Sequence, residues 1–415
     1  MESPSILPPA YGSDDGTHLP AYTAPRARAR HTVPTANTQH IITLASSQQK
    51  AWAVLHISSC AALPEQPPTF FEGDVISGTL KLDQPKDNHI IAVEIELVGQ
   101  FTGIGALNIA NGDHSGSSNQ FLRIPAPRRS FDSRESSMPF NLTIPISMNG
   151  RLPPSFQERH AAGAVRYEIV VHVRKGRLRP DSRLGTLIAY YPRIKPDPPS
   201  LLRQLAYTND SLIPGPSQDP AGWKTLEPKI ITGTLFGVRR VEISCTLSLS
   251  SPLCYTRGTA IPCHLSLTST DEEALSLAAS KTSPIVRLQR VATWGGSMVS
   301  SGQRSTLDYP CFAVWDRASV QQGKRTIDGE IQLLMGLQPS FDGHPKFNIA
   351  YRVALFPFEM ATFKADSHGP LLDEPVRIGN IYAGGPRAQR MLPPPTPHEF
   401  IPETSLGAVG LQFFV

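Results

Sequence analysis

Hydrophobic and polar positions alternate with period two along most of the chain. Ile91, Val93, Ile95, Leu97, Gly99 and Phe101 share one face, while Glu94, Glu96 and Gln100 share the other. Such alternation predicts a half-buried strand of an antiparallel sheet. The same pattern recurs in Ile76, Gly78, Leu80 and Leu82, and in Phe140, Leu142, Ile144 and Ile146. It recurs again in Val165, Tyr167, Ile169, Val171 and Val173, with Arg166, Glu168, His172 and Arg174 turned outward. Further on, Val241 to Leu249, Ile261 to Leu267, Ile331 to Met335 and Phe347 to Leu355 repeat it. Helical periodicity is nearly absent. Ser200 to Tyr207 and Asp271 to Ala279 are the two short helical candidates. Gly103 to Ser118 reads as a loop, and Arg128-Arg129 through Glu135 has no strand pattern.

Many short strands with turn signals and little helix predict an all-β fold of two tandem immunoglobulin-like β-sandwich domains. Residues 1–37 read as a disordered tail rich in Pro, Ala, Ser and Thr. Residues 38–195 form the first sandwich and 196–226 a Pro-rich connector opened by Pro196-Asp197-Pro198-Pro199. The second sandwich takes 227–381, and 382–415 a Pro-rich tail containing Pro393-Pro394-Pro395. A length of 415 residues suits two cores plus tails.

Composition narrows the function. A net charge of +4 is mildly basic. It permits acidic peptides, phosphates or an anionic membrane face as partners and argues against nucleic acid. The first residues show no secretory pattern, and no run reaches the apolar length of a membrane helix. A cytoplasmic protein, peripheral at the plasma membrane or endosomes, is expected. The 5 cysteines are sparse and lack CxxC spacing. Buried structural thiols are expected, with no metal and no cofactor. Trp52, Trp223, Trp294 and Trp315 read as packing residues. No GxSxG, GxxxxGK[ST] or strand-following GxGxxG motif is present, so no catalytic residue is assigned. An enzyme assembled from distant loops of a sandwich stays a remote alternative.

Two short segments carry candidate chemistry. Leu7-Pro8-Pro9-Ala10-Tyr11 holds a PPxY tetrapeptide, and Leu19-Pro20-Ala21-Tyr22 a close LPxY variant. Consecutive prolines hold the backbone near polyproline II, which lowers the entropy lost on docking. A WW domain accepts such prolines in an aromatic groove. Pro8, Pro9 and Tyr11, with Leu19, Pro20 and Tyr22 as a weaker second copy, are therefore candidate WW-binding residues. With 40 prolines and 10 tyrosines, chance supplies only about 0.1 strict matches. Separately, Arg174, Lys175, Arg177 and Arg179 cluster where a strand turns into a loop. They form either a patch for acidic or phosphorylated tails or anionic lipid, or a solvated loop that keeps a strand edge unpaired.

The order of several segments resembles the arrestin family. Phe70-Phe71-Glu72-Gly73-Asp74-Val75-Ile76-Ser77-Gly78-Thr79-Leu80 is similar to its entry strand, and Ile91 to Gly99 to the next. Met138 to Pro145 is similar to its Pro-Phe strand, and Leu152-Pro153-Pro154-Ser155-Phe156 with Val165 to Ile169 to its following segment. Val241 to Leu267 resembles the first hairpin of its C-terminal domain. Within that family the chain looks like a fungal-type α-arrestin, an arrestin-related trafficking adaptor. The resemblance implies a non-enzymatic adaptor that links a WW-domain HECT-type ubiquitin ligase to cytosolic tails of membrane transporters or receptors, for ubiquitylation and endocytosis. An arrestin-fold sorting scaffold without ligase recruitment is the alternative. The family usually carries its PY motifs near the C-terminus. Here they are N-terminal, and the C-terminal proline run has no tyrosine.

Overall fold

The alternating stretches become strands whose apolar side turns inward. In the computed structural model the described residues are 38–45, 51–82, 90–102, 120–126, 129–130, 137–146, 151–157, 164–175, 181–294, 304–316, 318–360 and 362–393. The first strands are β1 (Thr38–Ala45), β2 (Ala51–Ser59), β3 (Thr69–Phe71), β4 (Val75–Leu82), β5 (Ile90–Thr102) and β6 (Gln120–Pro125). They are followed by β7 (Arg129–Ser130), β8 (Ser137–Thr143), β9 (Phe156–Gln157), β10 (Ala164–Lys175) and β11 (Ser182–Tyr191). A 4-stranded sheet runs β1-β2-β4-β8, and a 7-stranded sheet has the path β3-β11-β10-β5-β6 with β7 and β9 beside it.

The inward residues read from the sequence are buried almost throughout. Ile76, Leu80, Val93, Ile95, Leu97, Phe101, Tyr167, Ile169, Val171 and Val173 all belong to the core. Ile91, Ile146 and Met335 share the pattern but are exposed, because each lies at or beyond the end of its strand. The glycines in these strands are placed by rings. A Cβ on Gly78 would meet the His56 carbonyl oxygen at 2.5 Å and the Phe140 ring at 2.7 Å. Added at Gly99 it would meet the Phe121 ring at 2.8 Å. Only glycine lets those rings lie flat on the strand. Several strands carry no pattern read from the sequence, among them β6 and the two-residue β7, which both pair with β5.

After Tyr191 the connector is ordered by caps and side chains. The helix α1 (Leu201–Asn209) starts at Ser200, whose Oγ accepts from the Arg203 amide at 3.3 Å, and ends at Asp210 in the left-handed region. Arg203 is only 2 % exposed and donates to the Ser251 carbonyl at 2.8 Å. Then come β12 (Trp223–Thr225), β13 (Lys229–Leu235), β14 (Arg239–Ser250), β15 (Cys254–Thr256) and β16 (Ala260–Thr268). The helix α2 (Glu272–Ala278) follows, capped by Asp271, whose carboxylate accepts from the Ala274 amide. The rest are β17 (Val286–Trp294), β18 (Arg304–Trp315), β19 (Ser319–Gln321), β20 (Lys324–Gln332), β21 (Phe341–His344), β22 (Phe347–Leu355), β23 (Phe363–Ala365) and β24 (Leu372–Gly379). All of these strands from β12 onward join one curled 13-stranded sheet.

No ladder among the described residues pairs a strand before Pro192 with one after it. The two strand groups nevertheless share one hydrophobic cluster and lie in one compact unit, Ala36–Val415. Phe156 of the first group packs on Phe347 and Trp294 of the second, with centroids 5.0 and 6.0 Å apart. The Asn380 side chain accepts from the Ile194 amide and donates to the Pro192 carbonyl. At the start of the connector Glu72 holds Arg151 through two hydrogen bonds of 3.0 and 2.7 Å, and Arg193 donates to Asp74 at 2.6 Å. Burial alone would raise the Glu72 carboxyl. The bonds and charges of Arg151 and Arg193 outweigh it and hold the group below the usual carboxylate range.

The sequence reading placed a low-complexity tail from residue 382. Its described part, to Pro393, packs on the body. Gln389 donates to the Tyr207 carbonyl of α1, and the buried Glu330 carboxylate accepts from the Met391 and Leu392 amides.

Candidate binding surface

The arginine–lysine cluster read from the sequence begins at the end of β10, where alternation aims Arg166, Glu168, His172 and Arg174 away from the core. Antiparallel register then chooses their neighbours. His172 stands opposite Glu94 of β5 and Arg183 of β11, and Val170 opposite Glu96. On the far side of β5, Val98 stands opposite Arg123 of β6. The result is a lattice of charge across the outer face of the sheet. Arg123 Nε donates to Glu96 at 2.6 Å, and His172 Nε2 lies 2.8 Å from the other Glu96 oxygen. Arg174 pairs with Glu94 at 3.3 Å and Arg183 with Glu168 at 3.0 Å. Lys175 Nζ donates to Ser182 Oγ at 2.8 Å, and its amide to Asp181.

Of the four residues in the cluster, then, the structure brings Arg174 to Glu94 and the Lys175 ammonium to the Ser182 hydroxyl. Arg177 and Arg179 lie outside the described residues. So do Pro8, Pro9, Tyr11, Leu19, Pro20, Tyr22, the Gly103 to Ser118 loop and the Trp52 side chain. Arg123, Arg174 and Arg183 pair with Glu96, Glu94 and Glu168, so the charge of each is answered by a neighbour. Each exposed pair contributes little stability. An anionic ligand here has to displace a carboxylate already in place, which favours a multiply charged or bidentate group such as a phosphate.

Glu96 is the centre of the lattice. The sequence reading put it on a solvent-facing strand side, yet it is only 7 % exposed. Burial acts to raise its carboxyl, but the hydrogen bonds and charges of Arg123 and His172 win and hold it low. Sequence reasoning missed Arg123, because its strand is short and follows a Gly/Asn/Ser loop with no period of its own.

The remaining candidates are structural. Cys245, Cys263 and Cys311 are buried and free. Burial pushes the thiols of Cys245 and Cys311 up to about 12, away from reactivity. Trp223, Trp294 and Trp315 are buried in packing. Among the described residues no His, Cys, Asp or Glu side chains group as a metal site, and no helix is long and apolar enough to cross a membrane. Neither family models nor curated proteins give a match to the chain.

Proposed function

We propose that the chain is a non-enzymatic trafficking adaptor of the α-arrestin type. In this reading two tandem sandwiches make a body on the cytoplasmic side of the plasma membrane or endosomes. The N-terminal segment recruits a WW-domain HECT-type ubiquitin ligase through Pro8, Pro9 and Tyr11, with Leu19, Pro20 and Tyr22 as a second site. Two sites on one tail raise the avidity for tandem WW domains. The outer face around Arg174 and Lys175 takes the acidic or phosphorylated tail of a membrane protein, or an anionic headgroup.

The observation that carries this reading is the PPAY and LPAY pair, set ahead of an all-β body whose first described strand begins at Thr38. The segment order that resembles the arrestin family adds to it. Calorimetric titration of the full chain into a tandem-WW fragment of a HECT ligase tests it. Micromolar binding lost in the Tyr11→Ala, Tyr22→Ala double variant is the expected result. Binding that persists in the double variant, or none by either chain, rejects ligase recruitment and leaves a sorting scaffold.

A further inference from the structure

We propose that the cleft between the start of β17 and the segment Phe356 to His368 is a docking site for an acidic peptide carrying an apolar anchor residue. This site is separate from the outer face of β10 and does not depend on ligase recruitment. Its geometry begins with Arg287. Strand alternation in β17 buries Val286 and Leu288 and turns Arg287 outward. Register sets it opposite Ala354 of β22 and Phe312 of β18, so neither neighbouring strand offers a carboxylate there. The guanidinium instead lies over two rings, 5.4 Å from the centroid of Phe356 and 5.7 Å from that of Tyr309. Those rings meet edge to face at 5.8 Å. Among the described residues Arg287 has no ion-pair partner. A guanidinium over a ring offers its face to the π system, while its N–H donors lie in its plane and suit a bidentate carboxylate.

The cleft beside it has a volume of about 640 Å³, within the usual range of ligand sites. Its apolar wall includes Phe356, Met360 and Phe363. Lys364 adds a second cationic group to that of Arg287, against one lining carboxylate, Glu359. Asp366 is near in sequence but is committed elsewhere. It accepts from Arg240 at 2.7 and 3.1 Å and from the Thr232 hydroxyl. The balance is positive over an apolar wall. Charge complementarity therefore selects a carboxylate-rich peptide, and the Phe and Met wall selects a large apolar side chain within it.

The test uses the full chain and fluorescence anisotropy. The probe is a pool of fluorescein-labelled octapeptides with Asp or Glu at four positions and Phe, Leu or Trp at the centre. Control pools replace the acids by their amides, or the central residue by Gly. The expected result is saturable binding by the probe pool alone, weakened about tenfold or more by Arg287→Gln with Lys364→Gln. Lys81→Gln, an exposed residue of β4 outside both surfaces, leaves it unchanged. A thermal unfolding midpoint shared by wild type and double variant shows that the fold survives. Equal binding by wild type and double variant overturns the proposal, as does equal binding of the amide pool. Failure of the probe to bind overturns it too, as does binding of dodecanoate or anionic vesicles in its place.

Discussion

Across β10, β5 and β6, Arg174 meets Glu94 and Arg123 meets Glu96. On β17, Arg287 meets the rings of Phe356 and Tyr309, with no carboxylate paired to it among the described residues. The difference comes from register rather than composition. β10 lies along β5 so that its outward positions fall beside Glu94 and Glu96. β17 is flanked at Arg287 by Ala354 and Phe312. A paired arginine has its charge answered locally and mainly fixes the geometry of its sheet. A ring-stacked one keeps its charge for a ligand. An anionic ligand therefore meets a carboxylate already in place beside Arg174 and none paired to Arg287 among the described residues.

The sharpest way to break this comparison is to remove one group from each place. Glu96→Gln leaves Arg123 and His172 without their shared carboxylate on a face where Glu96 is nearly buried. Urea unfolding is expected to show a loss of about 1–2 kcal/mol, since Glu96 is buried but Arg123 stays well exposed. Arg287→Leu strands no carboxylate and gives up only a stacking contact, with an expected loss of about 0.5–1 kcal/mol. Equal losses would mean that Arg287 is structural after all.

Much of this architecture was legible in the sequence, and the misses have a common cause. Alternation located β4, β5, β8, β10, β14, β16 and β22, because each buries one face and solvates the other. The two helices fall on the two short candidates, Ser200 to Tyr207 and Asp271 to Ala279, though the capping by Ser200 and Asp271 shows only in the structure. What alternation does not reveal is who sits across the strand. Arg174 and Glu94 are 80 residues apart by their numbers and meet only through register. Ile285 and His368 line one cleft for the same kind of reason. The segment after residue 382 looked featureless because its bonds join it to distant parts of the chain, the Met391 and Leu392 amides to Glu330 and the Gln389 side chain to the Tyr207 carbonyl, and such bonds leave no mark on composition.

Acid offers a second, milder contrast. The carboxyls of Glu96 and Glu72 both titrate lower in the folded chain than their ordinary value of 4.5. The unfolded chain therefore takes up protons first. Their stabilisation is complete above that value and drains away as pH falls through the folded one. Unfolding midpoints in urea are expected to fall between about pH 5 and pH 3. Glu96→Gln and Glu72→Gln should each flatten that fall, and Arg287→Leu should leave its slope unchanged. A wild-type slope in either glutamine variant would show that the carboxylate in question is not held low by its arginine.

The smallest expected effect tests how firmly the lattice is held at its rim. Gly185 of β11 stands opposite Val170, and a Cβ there would run into the carboxylate end of Glu168. That end is flexible, so Gly185→Ala would swing Glu168 off Arg183 rather than move the strand. The pair is well exposed on its arginine side, at 59 %. Its loss should cost less than about 1 kcal/mol. Alanine in a strand recovers a similar amount by restricting the unfolded chain. The two terms nearly cancel, and the unfolding midpoint should stay close to that of the wild type. A loss well above 1 kcal/mol would show that Glu168 is fixed by more than Arg183 and that the paired face is a rigid frame to its edge. No change in stability, together with faster exchange of the Arg183 side-chain protons, would show rim pairs that open readily. That is the property an anionic ligand needs if it is to take the place of a carboxylate on this face.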